Sequence, residues 1–251
     1  AHVLEDMIRI WKETACSPDK QAISDWWQEI EGWRKVNSLG FEQSDTIIKP
    51  QYAVQRLYEL SKDQMKTNLD SFGLAEIKDW VFDLDNTIYP ASSSLFPRVA
   101  ERMTSFIMEH FNLDAEAAAE MKTRLFRKYG TTMHGLMREH NMAPDDFLAY
   151  VHEIDLSDVH YDADLDNFIA SLPGRKHIYT NGTTRHATRI LEAFGIRHHF
   201  DFIFDIVASS HIPKPNPAPY QTFIAQSNID PHTSVMVEDM ARNLEPAAAL
   251  G

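Results

Sequence analysis

Short apolar runs alternate with longer amphipathic stretches over residues 79–251 of the chain. The first run, at residues 80–84, is rich in aromatic and β-branched side chains, as in a strand that is buried on both faces of a parallel sheet. Apolar residues at helical spacing separate the runs, and this alternation of strands and helices is typical of an α/β fold. The later strands of the predicted parallel sheet are residues 176–180, 202–207 and 235–237.

A long helical stretch separates the first predicted strand from the second. Gly130 is positioned to end one helix in this stretch, and Pro144 is positioned to begin another. Helices inserted at this point predict a cap domain over residues 91–172. The expected helices are residues 96–111, 115–129, 132–140, 144–151 and 161–172.

Two aspartates interrupt the first apolar run where it ends. Because side chains alternate along a strand, Asp83 and Asp85 point the same way at its carboxyl end, where open α/β sheets bind ligands. Two carboxylates this close repel each other unless a cation or a shared proton offsets the charge. Mg²⁺ prefers such oxygen ligands, so the stretch predicts a magnesium site. A capping or turn cluster is the alternative, since Asp, Asn and Thr also favour loops.

Polar side chains follow the later strands as well. Thr180 and Asn181 end the second strand, where a hydroxyl and turn amides can hold phosphate oxygens, although a plain turn is the alternative. Lys214 lies between two prolines, which stiffen the backbone more than a solvated lysine requires. Glu238 and Asp239 end the fourth strand. Several polar motifs, each at the end of an apolar strand, predict a single site. Their agreement is stronger evidence than any one motif alone.

These motifs carry a resemblance to a known family. The string D-L-D-N-T at residues 83–87 resembles the first motif, D-x-D-x-T, of the haloacid dehalogenase-like (HAD) hydrolase superfamily. With I-Y-P at residues 88–90 it is most similar to the pyrimidine 5'-nucleotidase group. Thr180 resembles the second motif, the K-P-x-P around Lys214 the third, and Glu238-Asp239 the fourth. The resemblance implies a Rossmann-like core, residues 65–90 and 173–251, with the helical cap closing over its active site.

The resemblance also implies a reaction and a role for each residue. Hydrolysis of a phosphate monoester would proceed through an aspartyl-phosphate on Asp83, with Asp85 as acid and then base. Mg²⁺ would be held by the carboxylates of Asp83 and Asp239 and by the backbone carbonyl of Asp85. A haloacid dehalogenase, the nearest alternative chemistry, needs neither a metal nor an acid for the departing halide. The expected phosphate-binding residues are Thr180, Asn181 and Lys214.

The sequence also suggests which phosphate monoester the chain binds. The string G-T-T-M-H-G-L at residues 130–136 resembles the pyrimidine-nucleotidase group and suggests UMP or CMP. The same residues also suit a simple link between two cap helices, and sugar phosphates or phosphoglycolate are alternative substrates. A net charge of −13 argues against a nucleic-acid polymer or an anionic membrane as partner, but leaves small phosphates open. The single cysteine, Cys16, and the lack of a membrane-length apolar run favour the cytoplasm.

Residues 1–64 differ in composition from the rest, because four of the five tryptophans of the chain lie there. Their apolar spacing predicts a mostly helical segment. The strings at residues 26–34 and 48–60 resemble part of the large subunit of acetohydroxyacid (acetolactate) synthase, a thiamine-diphosphate enzyme. The cofactor-binding G-D-G motif of that family is absent, so the resemblance implies no catalytic residue and favours a helical passenger segment. The alternatives are a genuine fusion, an inactive chimeric fragment and an acetolactate-forming enzyme.

The end of the chain carries one more expectation. A final helix is predicted for residues 241–250, and a further strand would be expected after it. The sequence therefore predicts a core that is truncated at its C-terminus, with one strand edge uncovered.

Overall fold

A computed structural model describes residues 76–251, so the expectations for residues 1–64 and for the boundary at residue 65 lie outside the described part. In the described part, four parallel strands form one sheet in the order β3-β2-β1-β4. The predicted α/β class with a Rossmann-like parallel sheet is confirmed. The strands are β1 (Asp79–Phe82), β2 (Arg175–Tyr179), β3 (Phe202–Phe204) and β4 (Ser234–Val237).

The central strand β1 is buried along its whole length, and its side chains divide between the two faces of the sheet. Trp80 and Phe82 belong to the larger apolar core, which includes helices of the insertion, whereas Val81 belongs to a smaller core on the other face. Phe82 lies beside Val237 of β4 in the register of the sheet. The residues that follow these two strands therefore leave the sheet side by side.

Five helices lie between β1 and β2, as the insertion pattern predicts. Gly130 ends the second of them with a backbone φ of +86°, which a side chain would strain. The fifth begins two residues later than expected, because Asp162 caps it by accepting hydrogen bonds from the backbone N–H groups of Asp164 and Leu165. The helices are α1 (Leu95–Phe111), α2 (Ala115–Tyr129), α3 (Thr132–His140), α4 (Pro144–Val151) and α5 (Ala163–Ser171).

Several strand and helix ends in the core differ from the sequence expectation by one to three residues, and one helix was not expected. Strand β3 ends at Phe204 instead of residue 207, because the Asp205 carboxylate accepts hydrogen bonds from the backbone N–H groups of Val207 and Ala208 and turns the chain. A helix that the sequence reading omits begins at Pro217. No helix within residues 76–251 combines the length and apolar character that crossing a bilayer needs. The remaining helices are α6 (Thr184–Ala193), α7 (Pro217–Ser227) and α8 (Ala241–Ala248).

Candidate active site

A polar residue directly follows each strand of the described sheet. Asp83 follows β1, Thr180 follows β2, and Glu238 follows β4, while Asp205 follows β3. Because the strands are parallel, all four residues leave the same edge of the sheet. This edge therefore brings together the strand ends from which the sequence motifs come.

Lys214 joins three of the strand ends, those of β1, β2 and β4, through its ammonium group. Its Nζ donates hydrogen bonds to Asp83 Oδ1 at 2.7 Å, to Glu238 Oε2 at 2.6 Å and to the Tyr179 carbonyl at 2.8 Å. Burial alone would lower the pKa of Lys214, but the charges of Asp83 and Glu238 outweigh burial and raise it. The backbone N–H of Lys214 donates to Asn181 Oδ1 at 2.9 Å, which ties the lysine loop to the end of β2.

A third carboxylate lies close to the two that bond the lysine. Asp83, Glu238 and Asp239 each offer an oxygen, and these oxygens lie within 4.8 Å of one another. Burial raises the pKa of Asp83 well above its ordinary value. Burial, followed by the hydrogen bond and charge of Glu238, raises the pKa of Asp239 to about 7. The single positive charge of Lys214 thus does not balance the charges of three carboxylates. A set of closely spaced oxygen ligands suits Mg²⁺.

Thr87, the last residue of the D-x-D-x-T string, connects the two sides of this cluster. Its hydroxyl donates to Asp83 Oδ2 at 3.1 Å, and Thr87 Oγ1 in turn accepts a hydrogen bond from the Asp239 backbone N–H at 3.1 Å. Asn86, just before it, takes a left-handed backbone with a φ of +62°. The turn after β1 therefore fixes the position of Asp83 relative to the end of β4.

The carboxylate of Asp85 faces a different set of partners. Its Oδ1 accepts hydrogen bonds from the Tyr89 hydroxyl and from His186 Nε2, the latter at 3.1 Å. Burial alone would raise the pKa of Asp85, but the charge and hydrogen bond of His186 and the hydrogen bond from Tyr89 hold it below its ordinary value. The sequence predicts that Asp85 binds a metal through its backbone carbonyl. The hydrogen bonds from Tyr89 and His186 involve only the side chain.

His152, at the end of α4, reaches this network from the insertion. Its ring stacks on His186 with centroids 4.3 Å apart, and its Nδ1 lies 3.1 Å from the Thr183 hydroxyl. Burial and then the charge of His186 lower the pKa of His152 to about 3. A neutral imidazole of the cap therefore packs against the histidine that holds Asp85.

Thr180 is placed less directly than the other expected residues. Its hydroxyl oxygen accepts a hydrogen bond from the Gly182 backbone N–H at 2.9 Å, and the residue is 1% exposed. Asp83, Asp85 and Lys214 line the cavity above the strand ends, whereas Thr180 is not among its described lining residues. In this arrangement Thr180 shapes the turn that presents Asn181 and Gly182.

The cavity has a volume of about 160 Å³ and two contrasting sides. We call its polar side the floor and its apolar side, from the insertion, the wall. The two sides approach each other at Gly130, where a Cβ would lie 3.5 Å from the Lys214 carbonyl, an ordinary contact distance. The floor consists of Asp83, Asp85, Asn181, Lys214, Glu238 and Asp239. The wall consists of Phe96, Val99, Met103, Phe126, Met133, Phe147, Leu148 and Val151.

A comparison with known families identifies the family of the chain. The profile of the haloacid dehalogenase-like hydrolase family matches residues 80–251, which include every residue of the floor and the wall. The chain belongs to this family. This membership confirms the hydrolase family that the motifs predict.

Two curated relatives match different shares of this HAD-like chain. Phosphate metabolism protein 8 of Saccharomyces cerevisiae is 26% identical over 192 residues, which are 69% of this chain and 59% of the yeast protein. The acetolactate synthase large subunit of Buchnera aphidicola subsp. Acyrthosiphon pisum is 38% identical over 61 residues, 24% of this chain and 10% of that protein. The chain thus spans about three fifths of the first relative and a tenth of the second.

Two solved structures match this chain at lower identity. The predicted phosphoglycolate phosphatase of Haemophilus somnus is 19% identical with a TM-score of 0.46, over 70% of this chain and 83% of that one. L-2-haloacid dehalogenase of Xanthobacter autotrophicus is 16% identical with a TM-score of 0.42, over 70% of this chain and 75% of that one.

Sequence reasoning missed two residues around Asp85 in this HAD-like hydrolase. His186 lies on the buried face of α6 with Ala187, Ile190 and Leu191, and a polar residue within such an apolar stripe was an available signal. His152 gave no comparable signal, because it follows a short cap helix and reaches the site only through tertiary packing.

Proposed function

We propose that this HAD-like hydrolase cleaves phosphate monoesters through a covalent aspartyl-phosphate in a Mg²⁺-dependent reaction. The observation that carries the proposal is the cluster of Asp83, Glu238 and Asp239 carboxylates around the buried ammonium of Lys214. Phosphoryl transfer depends mainly on positioning and on charge stabilisation, and this cluster offers a carboxylate nucleophile, a fixed cation and oxygens suited to a metal.

In the first half-reaction, a carboxylate oxygen of Asp83 attacks phosphorus in line with the ester oxygen. The new bond joins Asp83 to phosphorus, and the bond from phosphorus to the leaving alcohol breaks. Asp85 supplies the proton that the alcohol needs, because the negative charge of a bound phosphate raises the pKa of a neighbouring carboxyl. His186 and Tyr89 keep the Asp85 carboxyl oriented for this transfer.

In the second half-reaction, Asp85 takes a proton from water, and the water oxygen attacks the phosphorus of the aspartyl-phosphate. The bond between phosphorus and Asp83 breaks, which releases inorganic phosphate and regenerates the carboxylate. Lys214 and Asn181 hold the remaining phosphate oxygens in both steps, and Thr180 supports the turn that carries Asn181.

The metal requirement follows from the oxygen ligands of the floor. The carboxylates of Asp83 and Asp239 and the backbone carbonyl of Asp85 would hold Mg²⁺, with Glu238 beside them. When bound, Mg²⁺ neutralises charge on the nucleophile and on the non-bridging phosphate oxygens.

We further propose a pyrimidine nucleoside 5'-monophosphate, UMP or CMP, as the substrate. Support comes from the wall, where the rings of Phe96 and Phe126 are partly exposed beside the flexible side chain of Met103. Aromatic and thioether surfaces of this kind suit a flat base. The string at residues 130–136, which resembles the nucleotidase group, supplies Thr131 and Thr132 at the edge of the same wall.

A substrate panel with Mg²⁺ tests the specificity. We expect kcat/KM for UMP and CMP to exceed that for AMP, ribose 5-phosphate and phosphoglycolate by at least about 10-fold, because the wall contacts the base. A preference for the sugar phosphate or for phosphoglycolate would overturn the nucleotidase proposal while leaving the phosphatase proposal in place.

Substitution of the nucleophile tests the reaction itself. Asp83→Asn should reduce kcat by at least about 1,000-fold, since removal of a nucleophile abolishes the covalent route. Asp145→Asn is the matched control, because Asp145 is exposed in the first turn of α4. Near-normal phosphatase activity of Asp83→Asn, with an unchanged circular dichroism spectrum, would rule out the mechanism.

We also propose that residues 1–64 are a helical passenger with no part in catalysis. The short match to acetolactate synthase covers a tenth of that protein, and the family profile of the hydrolase begins only at residue 80. Removal of residues 1–64 should leave kcat/KM unchanged within about two-fold. Loss of activity on their removal, with the remaining chain still folded, would assign them a role.

A further inference from the structure

A second group of metal-ligand side chains lies outside the cavity. Asp166 of α5 lies close to His198 and His199. Both histidines belong to a short 3-10 helix, Arg197–His199, which follows α6. Asp166 Oδ1 accepts a hydrogen bond from His199 Nε2 at 2.6 Å, and it lies 3.7 Å from His198 Nε2. We call these three residues the His–Asp cluster. None of them lines the catalytic cavity.

The carboxylate of the cluster is oriented by a fourth residue. The Tyr161 hydroxyl donates a hydrogen bond to Asp166 Oδ2 at 2.7 Å, which leaves Oδ1 directed at the two histidines. Gly195 makes this possible, because a Cβ there would lie 2.5 Å from the Tyr161 ring. Hydrogen bonds from Tyr161 and His199 also lower the pKa of Asp166, so it is an anion at neutral pH.

We propose that the His–Asp cluster binds a transition-metal cation of the Zn²⁺ class, through His198 Nε2, His199 Nε2 and Asp166 Oδ1. Two imidazole nitrogens and one carboxylate oxygen form a donor set that zinc and its neighbours prefer and that Mg²⁺ does not. Ligand atoms around tetrahedral zinc are about 3.3 Å apart, given bonds of about 2.0–2.1 Å. The observed separations of 2.6 and 3.7 Å from Asp166 Oδ1 bracket that value, and the three ligand atoms lie within 4.8 Å of one another, so small side-chain movements would complete the site.

The position of His198 distinguishes a metal site from a purely structural contact. The hydrogen bond between His199 and Asp166 would suffice to attach the 3-10 turn to α5, and it does not involve His198. The His198 side chain is 64% exposed, yet its ring lies 3.9 Å from that of His199 and its Nε2 turns toward the same oxygen. A third ligand at an exposed position serves a cation and adds little to the packing of the fold.

The site would connect the end of the insertion to the core. Asp166 lies in the helix that leads into β2, whereas the two histidines lie in the connection from α6 to β3. A cation that binds these groups only in the folded chain stabilises the fold by mass action, independently of catalysis.

Calorimetric titration of the untagged full chain with ZnCl₂ tests the proposal, in a large excess of MgCl₂ that occupies the floor carboxylates. We expect the wild type to bind one equivalent of zinc. His198→Ala should not bind it, or should bind it at least about 100-fold more weakly, because a direct ligand is lost. Tyr161→Phe should weaken the same equivalent by about 10-fold, as expected for a residue that orients a ligand. Zinc should also raise the melting temperature of the wild type but not of His198→Ala.

His232→Ala is the matched control, because His232 is an exposed histidine outside the cluster. It should bind the same equivalent as the wild type. Equal zinc affinity and stoichiometry in the wild type and His198→Ala would overturn the proposal. Complete loss of zinc binding in excess Mg²⁺ would overturn it as well, since the zinc would then have occupied the floor.

Discussion

At the floor of the cavity Lys214 is 1% exposed and Asp83 6%, and each is bonded to another charged group, whereas in the wall Phe96 is 36% exposed and Phe126 39%. The floor comes from the strand ends and the adjoining loops of the core, and the wall comes from the inserted helices. Groups that satisfy one another in a buried network have little freedom to change separately. Half-exposed apolar side chains can be replaced with small effects on stability. The floor thus constrains the chemistry, while Phe96 and Phe126 of the wall can vary with the substrate.

The largest effect should come from Lys214→Met, which keeps most of the side-chain volume but removes the charge. Asp83 and Glu238 would remain buried without their cation, so the free energy of unfolding should fall by about 3–5 kcal/mol. The kcat should fall by about 100- to 1,000-fold, because a fixed donor to the phosphate is lost. Chemical denaturation and steady-state assays measure the two effects. A variant as stable as the wild type would contradict the account of the floor.

A smaller effect is expected where the cap meets the core. His186→Ala would leave the Asp85 carboxyl held by Tyr89 alone, so kcat should fall by about 10- to 100-fold. KM should change little, because His186 does not line the cavity. His186→Gln keeps an N–H donor and should recover part of the loss in steady-state assays. Equal activities of the two variants would show that packing, and not this hydrogen bond, is what matters.

Substitution in the wall should alter substrate choice and leave the fold intact. Phe126→Ala should raise KM for UMP by up to about 10-fold, because a contact with the base is lost. For p-nitrophenyl phosphate, which has no nucleoside, kcat/KM should stay within about two-fold. Melting temperature should change little, since the ring is already partly exposed. Equal losses for both substrates would mean that the wall supports the floor and does not select the substrate.

The last effect concerns the pH dependence of stability in the metal-free chain. The pKa of Asp239 is raised from 3.8 to about 7 by burial and by Glu238, so between these values the folded chain holds a proton that the unfolded chain has released. The stability due to this group is complete below about pH 4 and is lost as the pH rises to about 7. In EDTA, Asp239→Asn should therefore gain melting temperature relative to the wild type across this range. A difference that does not vary with pH would contradict the assignment.

Much of the core could be predicted because it depends on local patterns. The run that contains Trp80 and Phe82 fixes the central strand, and Asp83 follows it directly in both sequence and space. Gly130 ends α2 as expected, since its positive φ is a local requirement. Helix α7 was missed because Pro217 and Pro219 read as loop residues. Both lie in its first turn, where backbone N–H groups have no partner within the helix.

The parts of the site that could not be predicted depend on contacts between distant segments. Glu238 was expected beside the metal site, but its bond to Lys214 joins two loops whose relative position no local pattern encodes. The stacking of His152 on His186 likewise depends on how the inserted helices pack onto α6. Thr180 was identified from its place after β2, yet its hydroxyl accepts a bond from the following turn.

The three bonds of Lys214 have a consequence for how a substrate enters. An ammonium group carries three hydrogens, and here they are directed at Asp83, Glu238 and the Tyr179 carbonyl. In the proposed reaction, a phosphate oxygen that binds Lys214 would displace one of these partners, and Asp83 would be the one that leaves as it turns toward phosphorus. The lysine would then exchange one anion for another without a change in its own charge, so the proposed nucleophile would be released only when a phosphate is bound.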